Sequence, residues 1–223
     1  MTAKLAAPTR VTPRRMGSVL QRLARCYDVE QFIKAHGRDP FRILVGCILS
    51  LRTKDEVSFP ATERLFARAK TPGTMLKLRA PTIAKLIYPV GFYRRKADQI
   101  RALSRQLIET FEARVPSDLD ALLTLPGVGR KTANLVVTLG FGKQGICVDT
   151  HVHRICNRLG WVRTRHPDET ELALRRILPA KHWISINEIL VRHGQNTCKP
   201  LSPLCSACVI LHACARRGVT RSR

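Results

Sequence analysis

The sequence predicts an all-α fold, and three observations support that prediction. Apolar residues recur at helical spacing in most segments after Val29. Prolines, glycines and side chains that cap helices divide these segments into short lengths. No segment alternates apolar and polar residues in the way that a ladder of strands requires. We therefore expect about ten helices with short connections.

The first helices lie around one apolar segment. FRILVGCILSL (41–51) has the composition of a buried helix, and SLRTKD (50–55) ends it. Asp55 is placed to cap the next helix, whose first turns Pro60 would disturb, because proline lacks the amide that a helix interior uses. Shorter helices are expected after TPGT (71–74) and RAP (79–81).

The second half of the chain continues this pattern. A long amphipathic helix is predicted within 91–111, and Ser117 is placed to cap the helix that follows it. Asp149 and Gly160 are placed to begin and end another helix. Two more are predicted within DETELALRRIL (168–178) and KHWISINEILVRHG (181–194).

The charge of the chain points to a polyanionic partner. Thirty-nine Lys and Arg residues face sixteen Asp and Glu residues, a formal net charge of +23. A solvated basic surface is the plain alternative, but such an excess repels itself, and nucleic acid is the expected partner. A membrane surface fits less well, because no basic amphipathic helix with an aromatic edge stands out, and no apolar run reaches the roughly 20 residues of a membrane span.

The N-terminal segment 1–27 contains six Lys or Arg residues and no acidic residue. We expect it to be a flexible basic arm that follows DNA phosphates. Its composition also fits a transit peptide. The expected location is therefore the cytoplasm, associated with the nucleoid, if the source is prokaryotic, with an organelle as the alternative.

The segment LPGVGRKTAN (125–134) predicts two helices joined by a tight turn. Gly127 and Gly129 permit positive φ angles and a close approach of another backbone. The amides from Gly127 to Lys131 lie at a helix N-terminus, which favours an anion such as a DNA phosphate. Leu125 and Val128 would seat the turn on the core. A helical hairpin without a ligand is the alternative.

Lys131 and Asp149 are the candidate reactive residues. Lys131 falls in the first turn of a helix, where the helix dipole and the neighbouring Arg130 disfavour its charge and lower its pKa. A neutral amine can form a Schiff base, although a phosphate contact would also suit this position. Asp149 in VDTH (148–151) is compatible with both helix capping and assistance to an amine.

The hairpin pattern resembles the helix-hairpin-helix motif of DNA repair proteins, and with VDTHV (148–152) it resembles the endonuclease III family of DNA glycosylases and abasic-site lyases. That resemblance implies that Lys131 attacks the sugar of a damaged pyrimidine nucleotide and that Asp149 assists. An imine then links Lys131 to the sugar, and β-elimination cuts the strand on the 3′ side. The resemblance places these hairpin residues on DNA: Leu125, Gly127, Val128, Gly129, Arg130 and Thr132.

Four cysteines near the C-terminus have the spacing C-x6-C-x2-C-x5-C: Cys198, Cys205, Cys208 and Cys214. Four thiolates on one short segment suit zinc and a [4Fe-4S] cluster equally well in principle, and a disulfide framework is disfavoured. The resemblance implies the [4Fe-4S] cluster, with a structural role. The other cysteines are expected in the core: Cys26, Cys47, Cys147 and Cys156.

Two positions depart from the family pattern. Arg52 stands where the family usually has a glutamine that fills the gap left by a flipped base. Phe92 stands at a second insertion position, often leucine, although a core aromatic is the alternative there. Arginine can stack and donate to a base edge, and phenylalanine can intercalate. His151 is placed next to Asp149 for a DNA contact, with a structural role favoured over a catalytic one.

The resemblance further implies a division into two helical domains around a DNA-binding cleft. A six-helix domain would span 33–143, and the second would combine 28–32 with 144–223. The expected substrate is duplex DNA with damaged pyrimidines or abasic sites, bound by a monomer. The alternatives are a monofunctional glycosylase, which would need an acid where Cys47 falls, and a non-catalytic DNA-binding module.

Overall fold

A computed structural model describes residues 11–29 and 31–223. Every regular element in these residues is helical, which confirms the predicted fold class. The helices are α1 (Pro13–Ala24), α2 (Gln31–His36), α3 (Pro40–Ser50), α4 (Asp55–Arg68), α5 (Pro72–Lys77), α6 (Ala80–Ile87), α7 (Tyr93–Phe111), α8 (Leu119–Leu123), α9 (Arg130–Leu135), α10 (Thr150–Leu159), α11 (Pro167–Ile177) and α12 (Ile186–Asn196). A π-helical turn (Val136–Gly140) continues α9, and 3-10 turns occupy Ala180–His182 and Leu211–Ala213.

The described residues divide into two compact units. One contains residues 31–145, and the other contains residues 146–223 together with the described residues before 30. The first unit holds α2 to α9, more helices than the six that the family resemblance implied. Across both described parts of the chain, no helix combines the length and apolar character of a membrane span.

Helix α3 is the centre of the unit 31–145. Asp39 caps it, since its Oδ1 accepts a hydrogen bond from the Arg42 amide at 2.6 Å, and Pro40 occupies the first turn, where a missing amide costs nothing. The eight residues from Phe41 to Leu49 other than Arg42 are all buried, against α4, α7, α9 and the π-helical turn. An element that is apolar on every side folds only when neighbours cover all of it.

Helix α7 is the long amphipathic helix that the sequence predicts. It buries one stripe that includes Ala97, Ile100, Leu103 and Leu107 against α3, α5 and α6. Its first turn starts from an unusual backbone, because Phe92, the residue before the helix, adopts a left-handed conformation with φ of 57°.

The expectation of a flexible arm over 1–27 is wrong for its described part. Thr12 caps α1, and the helix buries residues at positions i, i+3, i+4 and i+7, which are Met16, Val19, Leu20 and Leu23. These residues join the core of the unit that contains α10, α11 and α12. The basic residues that lie between these apolar positions suggested an arm, although the apolar residues recur at helical spacing. Residues 1–10 of the expected arm lie outside the described residues.

Two predicted caps are also displaced. Asp118, not Ser117, caps α8 by accepting from the amide of Ala121 at 3.0 Å. The hydroxyl of Ser117 instead accepts from Lys143 Nζ at 2.6 Å. Asp55 is the first residue of α4 rather than its cap. Pro60 lies inside α4, which nevertheless continues unbroken to Arg68.

Candidate active site and cysteine pocket

The predicted hairpin is formed by α8, a tight turn and α9. The amide of Val128 donates to the carbonyl of Leu125 at 3.1 Å within the turn. Gly127 has the positive φ expected of it, at 71°, and the side chain of Gln99 fills the space beside it. Gly129 does not need a positive φ, because its φ of −96° and ψ of 174° correspond to an extended conformation that any residue adopts. Nothing within 4 Å would meet a Cβ at Gly129, so its surroundings are open to an approaching group.

Three of the hairpin residues expected on DNA point their side chains into the core, and for Leu125 and Val128 this is also the predicted seating of the turn. Leu125, Val128 and Thr132 are buried, so only their backbone can meet a ligand. Gly129 begins α9 without a side-chain cap among the described residues. The hairpin therefore presents backbone amides and the half-buried Arg130, and its apolar residues anchor the turn.

Lys131 lies half-buried in the first turn of α9, close to Cys47 of α3. Burial raises the pKa of the Cys47 thiol to about 11, and the positive charge of Lys131 opposes that rise. The group beside Lys131 at neutral pH is therefore an uncharged thiol. A carboxylate at this place would favour the ammonium form of a nearby lysine, and the uncharged Cys47 thiol adds no such charge.

Asp149 caps α10 as the sequence predicts. Its Oδ1 accepts from the amides of His151 and Val152, both at 2.9 Å, and its carbonyl accepts from His153. Gly160 ends the helix with φ of 76°. The two amide bonds fix the carboxylate at the helix N-terminus, where the helix dipole favours a negative charge.

His151 has a structural environment. Its Nδ1 lies 3.2 Å from a guanidinium nitrogen of Arg154, and its ring lies where a side chain on Gly194 of α12 would be. Arg154 also donates to the carbonyl of Cys198 at 2.9 Å. These contacts hold α10 against α12 and the start of the cysteine segment.

Arg52 and Phe92 lie together on two loops, 51–54 and 88–92, which we call the wedge loops. Both residues have left-handed backbones, with φ of 54° and 57°, and the Arg52 guanidinium lies 5.8 Å from the centre of the Phe92 ring. Phe92 is 62% exposed, which rules out the core alternative. Non-glycine residues in this region are strained and tend to occur at functional sites.

Sequence reasoning missed the buried Lys96 beneath the wedge loops. Its Nζ donates to the carbonyl oxygens of Leu49 and Leu51 at 2.9 and 2.6 Å. Helical spacing could have predicted this burial. Residue 96 lies on the same face of α7 as Ile100 and Leu103, which are buried, so a lysine at that position is buried too.

Cys198, Cys205, Cys208 and Cys214 line a single pocket, together with apolar side chains that include Ile155, Leu159, Leu204 and Ile210. Arg158 donates to Cys198 Sγ and the Arg216 amide donates to Cys214 Sγ, both at 3.4 Å. In the described part of the chain, no three His, Cys, Asp or Glu side chains converge on a point for one metal ion.

The remaining cysteines divide into two groups. Cys47, Cys147 and Cys156 are buried, as expected of small core residues. The same expectation for Cys26 is wrong, because it lies exposed two residues beyond the end of α1, where its thiol donates to the carbonyl of Arg22 at 3.3 Å.

Comparison with known proteins agrees with this arrangement. Residues 45–180 match the family model of the HhH-GPD superfamily base excision DNA repair protein. Endonuclease III of Thermotoga maritima is 47% identical over 194 residues, which cover 85% of this chain and 91% of that protein. Endonuclease III of Escherichia coli K12 is 37% identical over 175 residues, covering 78% of this chain and 83% of that one.

Solved structures extend the likeness to the fold. A trapped endonuclease III–DNA covalent intermediate has a TM-score of 0.84 at 35% identity, covering 93% of this chain and 97% of that chain. The helical hairpin, the order of the motifs and these similarities lead to one conclusion. The chain belongs to the endonuclease III family within the HhH-GPD superfamily.

Proposed function

We propose that this protein is a bifunctional base excision repair enzyme, which releases damaged pyrimidines from duplex DNA and then cleaves the strand at the abasic site. The observation that carries the proposal is Lys131 at the start of α9, beside the neutral thiol of Cys47, in a fold that closely matches a covalent endonuclease III–DNA intermediate. By the family resemblance, a monofunctional relative of the adenine glycosylase type would lack the lysine at 131 and carry an acid at the position of Cys47.

Lys131 supplies the nucleophile. Its Nζ forms a bond to C1′ of the sugar as the glycosidic bond breaks, and the base leaves with a proton. Opening of the sugar ring gives a protonated imine. Loss of a proton from C2′ then breaks the bond between C3′ and its oxygen, which cuts the strand on the 3′ side. Water hydrolyses the imine and regenerates the amine.

Asp149 assists the same reaction. A carboxylate stabilises the positive charge that develops on the sugar, and it can hold the proton that Lys131 must lose before it attacks. The two amide hydrogen bonds that fix Asp149 support this role, because a carboxylate that already has a defined position need not reorganise during the reaction.

The remaining DNA contacts divide between backbone and bases. The amides of Gly127, Gly129 and Lys131 would bind a phosphate, and the overall charge of +23 supplies affinity without sequence preference. The damaged nucleotide has to leave the stack, and Arg52 with Phe92 would fill the space that it vacates. The protein would act as a monomer on chromosomal DNA, in the nucleoid-associated cytoplasm if the source is prokaryotic, with an organelle as the alternative.

The cysteine pocket fits a [4Fe-4S] cluster held by Cys198, Cys205, Cys208 and Cys214. All four thiols line one pocket with apolar side chains, and the four ligands of a four-iron cluster each bind a different iron atom. When bound, the cluster would fix the segment 198–214 and contribute no group to the reaction. Equal amounts of iron and acid-labile sulfide in the purified protein are expected, and stoichiometric zinc would contradict this assignment.

Borohydride trapping tests the proposed reaction. The wild-type protein is incubated with duplex DNA containing thymine glycol or an abasic site, and borohydride then reduces the imine to a stable adduct. We expect trapping by the wild type and by the matched control Lys77→Ala, an exposed lysine of α5, but none by Lys131→Ala. Base release without trapping would indicate a monofunctional glycosylase. Binding alone would indicate a DNA-binding module.

A further inference from the structure

Lys96 is a buried lysine whose hydrogen-bond acceptors are all neutral. Its side chain is 5% exposed, and burial lowers its pKa to about 8. The Nζ atom donates to the carbonyls of Leu49 and Leu51 and to Thr53 Oγ1, at 2.9, 2.6 and 3.3 Å. These carbonyls lie at the C-terminal end of α3, where the helix dipole favours a positive charge. Through these hydrogen bonds Lys96 restrains the backbone of the residues that directly precede Arg52.

Thr53 connects the two wedge loops. Its hydroxyl donates to the carbonyl of Leu51 at 3.3 Å and accepts from Lys96 Nζ and from the amide of Gly91, the latter at 3.1 Å. The backbone of Arg52 also approaches Gly91 closely, since a Cβ at that glycine would lie 2.9 Å from the Arg52 carbonyl oxygen. The loop of Arg52 and the loop of Phe92 are therefore joined through one hydroxyl group that Lys96 holds in place.

The two loops carry conformations that need such support. Arg52 and Phe92 are both exposed and both left-handed, and a left-handed backbone is unfavourable for non-glycine residues because Cβ crowds the following carbonyl oxygen. The two exposed side chains contact each other on the outside, and the buried side of the loops supplies hydrogen bonds to the backbone. On that side Lys96 and Thr53 hydrogen-bond the loop of Arg52 and the amide of Gly91, and Arg64 donates to the carbonyl of Tyr88 at 2.6 Å.

We propose that Lys96 is a positioning residue that holds Arg52 and Phe92 ready to enter the duplex. The inference rests on the proposed function, in which these two side chains fill the gap left by the flipped nucleotide. Lys96 does not reach substrate, because its side chain is enclosed and its three donors are used. It acts on the step that extrudes a damaged base, and not on the chemistry at Lys131.

This role predicts unequal effects on the two reactions. Release of a damaged base requires extrusion from a paired stack, whereas an abasic site has no base to extrude and costs less to open. In Lys96→Met, we expect kcat/KM for thymine glycol release to fall by about tenfold or more, and abasic-site trapping at saturating enzyme to fall by less than about threefold. The preference for the base opposite the lesion should also change.

The test compares Lys96→Met and Thr53→Val with the control Lys77→Met, an exposed lysine of the same unit. Thr53→Val replaces the shared hydroxyl with a methyl group of similar size at a half-buried loop position, so it provides the test if Lys96→Met does not fold. The fluorescence of 2-aminopurine next to the lesion reports extrusion directly. It should rise on binding of the wild type and the control, and rise less with both test variants.

A double-mutant cycle decides whether Lys96 acts through Arg52. If it does, Lys96→Met should reduce base release by a much smaller factor in an Arg52→Ala background than in the wild type, because the side chain that Lys96 positions is already absent. Additive effects, or equal losses of base release and trapping, would overturn the inference while leaving the proposed function intact. Failure of the wild type itself to release a base or trap would instead overturn the proposed function.

Discussion

The side chain of Gln99 occupies the space that a Cβ on Gly127 would need, and its Nε2 donates to the neighbouring carbonyl of Pro126 at 3.3 Å. Helix α7 thereby supports the turn of the hairpin through Gln99, and it supports the wedge loops through Lys96, three residues earlier. One face of a single helix sets the position of the two segments that we propose contact DNA, both within the unit 31–145.

Gly127→Ala should destabilise the protein. The φ of 71° is unfavourable for alanine, and the new methyl group displaces Gln99, so we expect the free energy of unfolding to fall by about 1–3 kcal/mol. Urea denaturation followed by far-UV circular dichroism measures the change. Tryptophan fluorescence would not serve, because Trp161 and Trp183 both belong to the other unit.

Gly129→Ala provides the matched comparison and a separate prediction. Its extended backbone and open surroundings accept a methyl group, so the free energy of unfolding should change by less than about 0.5 kcal/mol. Affinity for abasic-site DNA should nevertheless fall by about tenfold, because the methyl group lies where a phosphate would approach the amides. Unchanged affinity in a binding titration would argue against a phosphate at this turn.

Asp149 can be separated into its two roles. Asparagine caps helices as well as aspartate does, so Asp149→Asn should retain stability within about 0.5 kcal/mol and still lose at least about a hundredfold in base release. Asp149→Ala should lose activity and about 1 kcal/mol of stability as well. Single-turnover kinetics with parallel urea denaturation make the comparison. An active Asp149→Asn would assign the residue to capping alone.

Several features of this site are local enough to predict from sequence. The capping of α10 by Asp149, its end at Gly160 and the positive φ of Gly127 each depend on a few consecutive residues, and all three are observed. The buried stripe of α7 is likewise a matter of spacing along one helix. Helix α1 shows that composition alone can mislead. Its basic residues suggested an arm, although the spacing of the apolar residues from Met16 to Leu23 indicated a helix.

Features that depend on distant segments were not predictable. Arg52 and Phe92 form a pair only because loops forty positions apart meet over Lys96, and nothing in either short segment encodes that meeting. The left-handed backbones at both positions are equally hidden, since neither residue is a glycine or an asparagine. The neutral thiol beside Lys131 likewise required the packing of α3 on α9.

Cysteine reactivity should follow burial. Burial raises the pKa of Cys47 to about 11 and raises that of Cys156 as well, and alkylating reagents attack only thiolates that they can reach. We expect iodoacetamide at pH 8 to modify Cys26 in the native protein and to leave both buried thiols unmodified. Peptide mass spectrometry gives the result, with urea-unfolded protein as the control in which all of them react. Modification of Cys47 in the native state would contradict its buried position beside Lys131.

His182 should make the unit that contains α1 sensitive to acid. The residue is 8% exposed, and its Nε2 lies where a Cβ on Gly17 of α1 would touch it, at 2.9 Å. Burial lowers the pKa of His182, with the charge of Lys181 adding to the effect. As pH falls, the unfolded chain therefore takes up this proton first, near pH ~6.5, while the folded protein resists it. The stability that the neutral imidazole provides is present above that pH and is lost below it.

His182→Gln should reduce the fall in the free energy of unfolding as the pH is lowered. Between about pH 7 and 5, one such group contributes a slope of at most about 1.4 kcal/mol per pH unit, and glutamine contributes none. Urea denaturation followed by the fluorescence of Trp161 and Trp183, which lie in the same unit, gives the free energy of unfolding at each pH. Leu172→Gln is the control, because Leu172 is an exposed residue of the same unit without a titrating group, and its variant should keep the wild-type slope. Equal slopes in the wild type and His182→Gln would show that His182 charges as readily in the folded protein as in the unfolded chain, and its packing against Gly17 would then carry no pH dependence.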